Sequence, residues 1–138
     1  MVNILVLCTG NSCRSQIAEG YLRFYSKDNA NIYSAGIETH GVNPLAITVM
    51  KEDKIDLSKH TSNHIDEYLN IEFDHIITVC DHAKENCPYF PSHAKRWHQN
   101  FEDPAKAIGS EEEILTRFRQ VRDEIRQYSE TFVIDIGL

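Results

Sequence analysis

Short apolar runs separated by amphipathic stretches of helical period make up most of the chain. Val2 to Leu7 is aliphatic and β-branched, and Asn3 to Leu7 within it reads as a buried strand ending in a Gly/Asn/Ser loop. A helix follows from Ser15 to about Ser26, with Ile17, Tyr21 and Phe24 at helical spacing as its core-facing stripe. Asn29 to Asn31 turn the chain into a second strand, Asn31 to Ala35. Asn43-Pro44 opens a second helix, because proline suits the first helical position, and Leu45, Ile47, Val49 and Met50 carry it toward Asp53. Another short helix follows Ser62 or Asn63. Ile76, Ile77 and Val79 form a third strand that delivers Cys80 at its end, and Arg96 to His98 form a short fourth. The last helix starts at a capping box, Ser110 with Glu113, and buries Leu115, Phe118, Val121 and Ile125. Glu111 and Glu112 suit its positive end, and Arg117, Arg119, Arg122 and Arg126 are read as its C-terminal end.

Strands alternating with helices in this order predict an α/β fold: a four-stranded parallel sheet with right-handed crossovers and helices on both faces. At 138 residues and 41% hydrophobic content the chain matches one domain, residues 1–138, with no repeats or linkers. In such folds ligands bind at the carboxyl ends of the strands. Both the loop after Leu7 and Cys80 fall there.

A formal net charge of -7 argues against nucleic-acid or anionic-membrane partners, so any anion site is local. The opening apolar run is far short of the ~20 residues that span a bilayer, and no basic leader precedes it. The expected compartment is cytoplasmic and reducing, which keeps the four cysteines as thiols and favours chemistry over a structural disulfide framework. The chain is taken to act as a monomer.

The segment Cys8-Thr9-Gly10-Asn11-Ser12-Cys13-Arg14-Ser15 links a strand to a helix N-terminus, so backbone N–H groups from Thr9 to Arg14 converge on one point suited to a tetrahedral oxyanion. Gly10 lets the backbone come close. Cys8 lies in the same positive field, a setting that favours the nucleophilic thiolate. Arg14 is placed to hold two anion oxygens through its planar guanidinium. Ser15 is placed to donate a hydroxyl hydrogen bond to the Cys8 sulfur. Cys13 reads as a packed bystander thiol, close enough in sequence to Cys8 for oxidative pairing.

This loop resembles the phosphate loop of low-molecular-weight protein tyrosine phosphatases and of the arsenate reductases that share their fold. The resemblance runs from about Ile4 to Gln127 and includes the reductase-like segment Ser34-Ala35-Gly36-Ile37-Glu38-Thr39-His40-Gly41-Val42-Asn43-Pro44 and the helical Arg119-Gln120-Val121-Arg122-Asp123-Glu124-Ile125. The stretch from Ser129 has no recognised counterpart. The resemblance implies a general acid, for which Asp103-Pro104 is the matching candidate, although Asp-Pro is also a common turn. Phosphatases of the group follow that pair with tyrosines that line the substrate cleft; here Ala105 follows.

Val79-Cys80-Asp81-His82-Ala83-Lys84-Glu85-Asn86-Cys87-Pro88 is similar to the redox segment of thioredoxin-coupled arsenate reductases. If residues 80–87 were helical, the two Cα atoms would stand about 10.5 Å apart along the axis, whereas a disulfide needs them within about 7 Å. The segment cannot be helical and bridged at once. The resemblance implies a relay: Cys8 attacks arsenate, Asp103 protonates the leaving oxygen, Cys80 takes Cys8 into a disulfide as arsenite departs, and Cys87 resolves it. The final Cys80-Cys87 disulfide goes to thioredoxin as electron donor, with glutaredoxin and glutathione the alternative.

No tightly bound cofactor is expected. Relatives that bind a monovalent cation beside the loop imply a potassium site at Asn11, Glu19, Ser34, Thr61 and Asn63, but they carry an aspartate where this chain has Asn63. A zinc reading of Cys80, Cys87, His82 and His93 fits no paired-ligand spacing. Three functions stay open: arsenate reductase, phosphatase of the same fold, and non-catalytic thiol sensor.

Overall fold

A computed structural model describes residues 1–87 and 93–138, so Pro88 of the cysteine segment lies outside the described residues. Strands β1 (Val2–Cys8), β2 (Ala30–Gly36), β3 (His75–Thr78) and β4 (Lys95–His98) form one parallel sheet in the order β2-β1-β3-β4. The helices are α1 (Arg14–Ser26), α2 (Pro44–Glu52), α3 (Asp81–Glu85) and α4 (Glu111–Asp135), with 3-10 turns at Ile65–Tyr68 and Pro104–Lys106. Ile4, Leu5, Val6 and Leu7 are all fully buried. Successive strand residues point to opposite faces, so both faces of the central strand are covered and an apolar run rather than an alternating one is required. The α/β architecture read from the periodicity is the one observed.

Register places the chemistry. Cys8 pairs with Gly36, Leu7 with Thr78, and Thr78 with His98. The carboxyl ends of all four strands therefore lie side by side, and the loops leaving them share one rim of the sheet.

Two elements differ from the sequence reading. Phe24 is 60% exposed instead of continuing the buried stripe of α1, and meets Tyr25 edge-on. The first half of α1 is enclosed on its loop side, where Gln16 donates to the Asn11 and Thr61 carbonyls, whereas its last turn is covered only along the side of Leu22 and Ser26. The second difference is α4, which runs to Asp135 and buries Ser129, Phe132 and Val133. No glycine or proline interrupts the sequence before Gly137, whose φ of 82° suits a residue without Cβ. The arginines assigned to the helix end are mid-helix; Arg117 pairs with Glu102, and the other three tie α4 to the end of α2. Arg122 donates to the Val49 carbonyl (3.0 Å) and to Glu52 (2.7 Å), Arg119 pairs with Glu52 (3.0 Å), and Arg126 with Asp53 (3.3 Å). A cation serves at the carbonyl end of either helix, which is why local sequence did not distinguish the two.

Candidate active site

Between β1 and α1 the backbone from Cys8 to Cys13 is held from outside. The carbonyl of Cys8 accepts from the Ile37 amide (3.3 Å), Thr9 from Glu38 (2.8 Å), Gly10 from His40 (3.0 Å), Ser12 from Asn43 (2.9 Å) and Cys13 from Ile17 (2.9 Å). Gln16 Nε2 donates to the Asn11 carbonyl at 3.1 Å. A trans peptide sets each N–H opposite its carbonyl, so six outward carbonyls turn the amides that follow them toward the inside of the loop. The first turn of α1 contains no acidic residue and Cys13 makes no side-chain cap, leaving the positive helix end to a bound anion.

Asn11 fixes the turn. Its φ is 46°, a left-handed conformation that asparagine tolerates better than most residues. Its side chain is fully buried: Nδ2 donates to Ser15 Oγ (2.8 Å) and Ser34 Oγ (3.0 Å), and Oδ1 accepts from the Asn63 amide (2.7 Å). Gly36 lets β2 press against this turn, because a Cβ there would lie 2.3 Å from the Glu38 carbonyl oxygen and 2.7 Å from the Asn11 nitrogen.

The resulting cavity, about 220 Å³, is lined by Cys8, Thr9, Gly10, Ser12, Cys13, Arg14, His40, Asp103, Ala105 and Lys106. Cys8 Sγ lies 3.1 Å from Ser15 Oγ, which accepts from Asn11 and has its own proton to donate to a Cys8 thiolate. Arg14 is only 11% exposed; Nη1 donates to the Phe101 carbonyl at 3.0 Å and Nη2 stands 3.7 Å from Asp103 Oδ2. Asp103 is both a turn residue and part of the cavity wall: its other oxygen accepts from the Ala105 amide at 3.0 Å, capping the Pro104–Lys106 turn. Cys80 caps α3, accepting from the Ala83 amide at 3.4 Å, and its sulfur lies 3.3 Å from Thr9 Oγ1. Cys87 receives a hydrogen bond from Arg96 Nη1 at 3.1 Å. All four cysteines are thiols. Burial, and then the charges of Asp103 and Cys8, push the Cys13 thiol far up, which keeps it protonated and unreactive.

The structure thus places Cys8, Thr9, Gly10, Ser12, Cys13, Arg14 and Asp103 around one cavity, with Ser15 and Asn11 immediately behind it and Cys80 on its Thr9 side. Sequence reasoning did not assign His40 or Lys106 to it. Lys106 follows the Asp103 turn by three residues, and His40 lies in the segment whose amides hold the loop carbonyls, but only the fold aims both at the cavity.

Behind the loop a second, polar cavity is lined by Glu19, Arg23, Ser34, His60, Thr61 and Asn63, among others. It contains most of the implied potassium ligands, yet they do not suit a cation. Glu19 accepts from the Ser34 hydroxyl and, at 2.8 Å, from Arg23 Nε, and His60 Nδ1 is 3.6 Å away. The Asn63 oxygen accepts from the Thr61 hydroxyl (2.8 Å). The Arg23 guanidinium supplies the positive charge there, and an amide replaces the second carboxylate a hard cation prefers. Among the described residues no three or more His, Cys, Asp or Glu side chains gather as a metal-binding group. Nor is any described helix long and apolar enough to cross a membrane.

The sequence profile of the low molecular weight phosphotyrosine protein phosphatase family matches residues 3–137. It therefore extends over the stretch from Ser129, which local sequence had left without a counterpart, consistent with α4 continuing through it. An arsenate reductase of Halalkalibacterium halodurans is 53% identical over 129 residues, covering 94% of this chain and 93% of that protein. Among solved structures, an arsenate reductase in the oxidized state superposes with a TM-score of 0.85 at 28% identity, covering 99% of this chain and all of the other. An arsenate reductase in the phosphate binding state gives 0.81 at 28% identity with the same coverage.

Proposed function

Since the chain belongs to the low molecular weight phosphotyrosine protein phosphatase family, within its arsenate reductase relatives, we propose that it reduces arsenate to arsenite through Cys8, Cys80 and Cys87. The observation that carries this reading is one cavity lined by Cys8, Arg14 and Asp103, with Cys80 hydrogen-bonded to its wall through Thr9. A hydrolase has no use for the second sulfur.

Arsenate enters the ring of inward amides, and Arg14 leaves Asp103 to hold two of its oxygens. The Cys8 thiolate, supported by the Ser15 hydroxyl, attacks arsenic. A sulfur–arsenic bond forms as an arsenic–oxygen bond breaks, and Asp103 delivers the proton that lets the oxygen leave as water. Cys80, as thiolate, then attacks the Cys8 sulfur. The electron pair of the sulfur–arsenic bond stays on arsenic, which leaves as arsenite two electrons richer, and a Cys8–Cys80 disulfide remains. Cys87 attacks Cys80 and frees Cys8 as a thiolate. The Cys80–Cys87 disulfide, on a segment that has had to unwind, is reduced by the dithiol of thioredoxin. Lys106 at the cavity adds positive charge for an incoming anion, and the His40 ring forms the wall beside Gly10. No bound cation takes part: Arg23 fills that role beside Glu19. The protein works as a cytoplasmic monomer.

Phosphate has the same shape and charge, so the cavity also supports slow aryl phosphate hydrolysis, without the tyrosine platform that Ala105 replaces.

Thioredoxin-coupled NADPH oxidation that requires arsenate tests the reading. Cys87→Ser is expected to give about one turnover per chain and then accumulate the Cys8–Cys80 disulfide, visible by peptide mass mapping. Unimpaired multiple turnover of that variant overturns the relay, and full activity with glutaredoxin and glutathione alone replaces the donor.

A further inference from the structure

One imidazole joins three elements around the redox segment. His98, the last residue of β4, has Nδ1 2.7 Å from Thr78 Oγ1 and Nε2 2.7 Å from Asp81 Oδ1. Thr78 ends β3 and is 5% exposed; Asp81 is the first residue of α3 and adjoins Cys80. The Asp81 amide also donates to Asn100 Oδ1, just past β4, at 3.1 Å. An exposed carboxylate beside a mobile histidine contributes little. Here the imidazole is 24% exposed and its other nitrogen is fixed by the buried threonine, so it reaches Asp81 without a large loss of side-chain freedom.

The pairing is formed with α3 wound. In the dithiol form the Cys80 carbonyl accepts from the Lys84 amide (3.2 Å), the His82 carbonyl from the Asn86 amide (3.1 Å), and Ala83 is buried. A bond between Cys80 and Cys87 needs their Cα atoms within about 7 Å, and the wound turn of α3 occupies Asp81–Glu85 between them. A bond that opens this turn would carry Asp81 with its backbone away from His98.

We propose that the Thr78–His98–Asp81 chain is a latch on the redox segment. It stabilises the dithiol form relative to the Cys80–Cys87 disulfide and keeps Cys80 against Thr9 until the disulfide with Cys8 has formed. His98 and Asp81 are positioning residues: neither touches substrate, and each acts on the cysteines through the geometry of α3. The redox half of this inference rests on the relay proposed above.

The exchange is balanced with glutathione disulfide as oxidant: two thiols, Cys80 and Cys87, lose two protons and two electrons, one disulfide forms, and two glutathione thiols are released. Because the latch favours only the dithiol side, removing it raises the equilibrium constant for disulfide formation. Asp81→Ala changes an exposed side chain and His98→Ala a partly covered one. Each is expected to raise that constant about fivefold, the scale of one preorganised partly exposed hydrogen-bonded pair. The double variant should show no further rise, since both substitutions break the same link. In the fully reduced protein, amide exchange across residues 83–86 and alkylation of the buried Cys80, read by peptide mass mapping, should accelerate by a similar factor. Equilibrium, exchange and alkylation all within experimental scatter of the unsubstituted protein overturn the latch, as does an additive double variant. If the unsubstituted protein forms no Cys80–Cys87 disulfide at any glutathione ratio, the relay fails, and exchange and alkylation in the variants still decide the latch.

Discussion

Ser15 Oγ lies 3.1 Å from Cys8 Sγ and accepts an Asn11 amide proton at 2.8 Å, which places the serine hydroxyl to donate to a Cys8 thiolate. This single hydroxyl supports the thiolate as nucleophile and again as the group released when Cys87 resolves the first disulfide. Ser15→Ala is expected to lower kcat/KM for arsenate about 10- to 100-fold, the scale of a hydrogen bond to a charged group. The same variant should alkylate more slowly at Cys8 near neutral pH. Unchanged alkylation and turnover would remove Ser15 from the mechanism.

Gly36 and Gly10 make opposite predictions although both adjoin the loop. A Cβ at Gly36 meets backbone atoms at 2.3, 2.7 and 2.8 Å, none of which moves without opening the loop. Gly36→Ala should cost about 3 kcal/mol in denaturant unfolding and abolish protection by inorganic phosphate against thermal unfolding. A Cβ at Gly10 meets the His40 ring at 2.5 Å, part of a side chain 55% exposed and held at 2.8 Å only by the exposed Glu38 carboxylate, which can move with it. Gly10→Ala should therefore retain most of the stability and weaken only anion binding.

With the Arg23 guanidinium 2.8 Å from Glu19, exchanging sodium for potassium at constant ionic strength is expected to change kcat/KM by less than about twofold. Arg23→Ala vacates that charge. Its activity should fall and then respond to potassium, measured by the coupled assay over a salt titration. A marked potassium stimulation of the unsubstituted protein would show that the cavity behind the loop takes a cation after all.

Trp97 is the only tryptophan, and its Nε1–H donates to His75 Nδ1 at 3.0 Å. Burial, with the nearby Lys95 charge adding to it and Asp74 opposing, holds the His75 imidazole below its usual 6.5. The nitrogen that accepts from Trp97 must be unprotonated. The unfolded chain therefore takes up this proton first, and stability declines as pH falls below about 6.5 and levels off below the folded-state value. Tryptophan fluorescence should follow a transition with a midpoint below 6.5 that disappears in His75→Gln; a midpoint above 6.5 would reverse the sign.

Much of the loop chemistry was legible in the chain because it is local. Cys8, Arg14 and Ser15 lie within eight positions, and a strand before them with a helix after them constrains where they point. Cys80 was legible as a strand-end residue for the same reason. The features read differently in the structure depend on partners far away in sequence. Phe24 has the right period but no cover at the end of α1, and Arg119, Arg122 and Arg126 of α4 pair with Glu52 and Asp53 of the α2 end instead of finishing their own helix.

Strand and helix periodicity, turn residues and the Cys8 loop were determined by the sequence alone, since each follows from contacts a few residues apart. Only the tertiary structure decided that His40 and Lys106 join Asp103 at the Cys8 cavity, that Ser34 and Asn63 meet Asn11 behind the loop, and that His98 reaches Asp81. Those meetings depend on strand register and on how loops from different strand ends pack along one rim. Register is a property of the whole sheet, set by burial on both its faces, and no short window of sequence contains it.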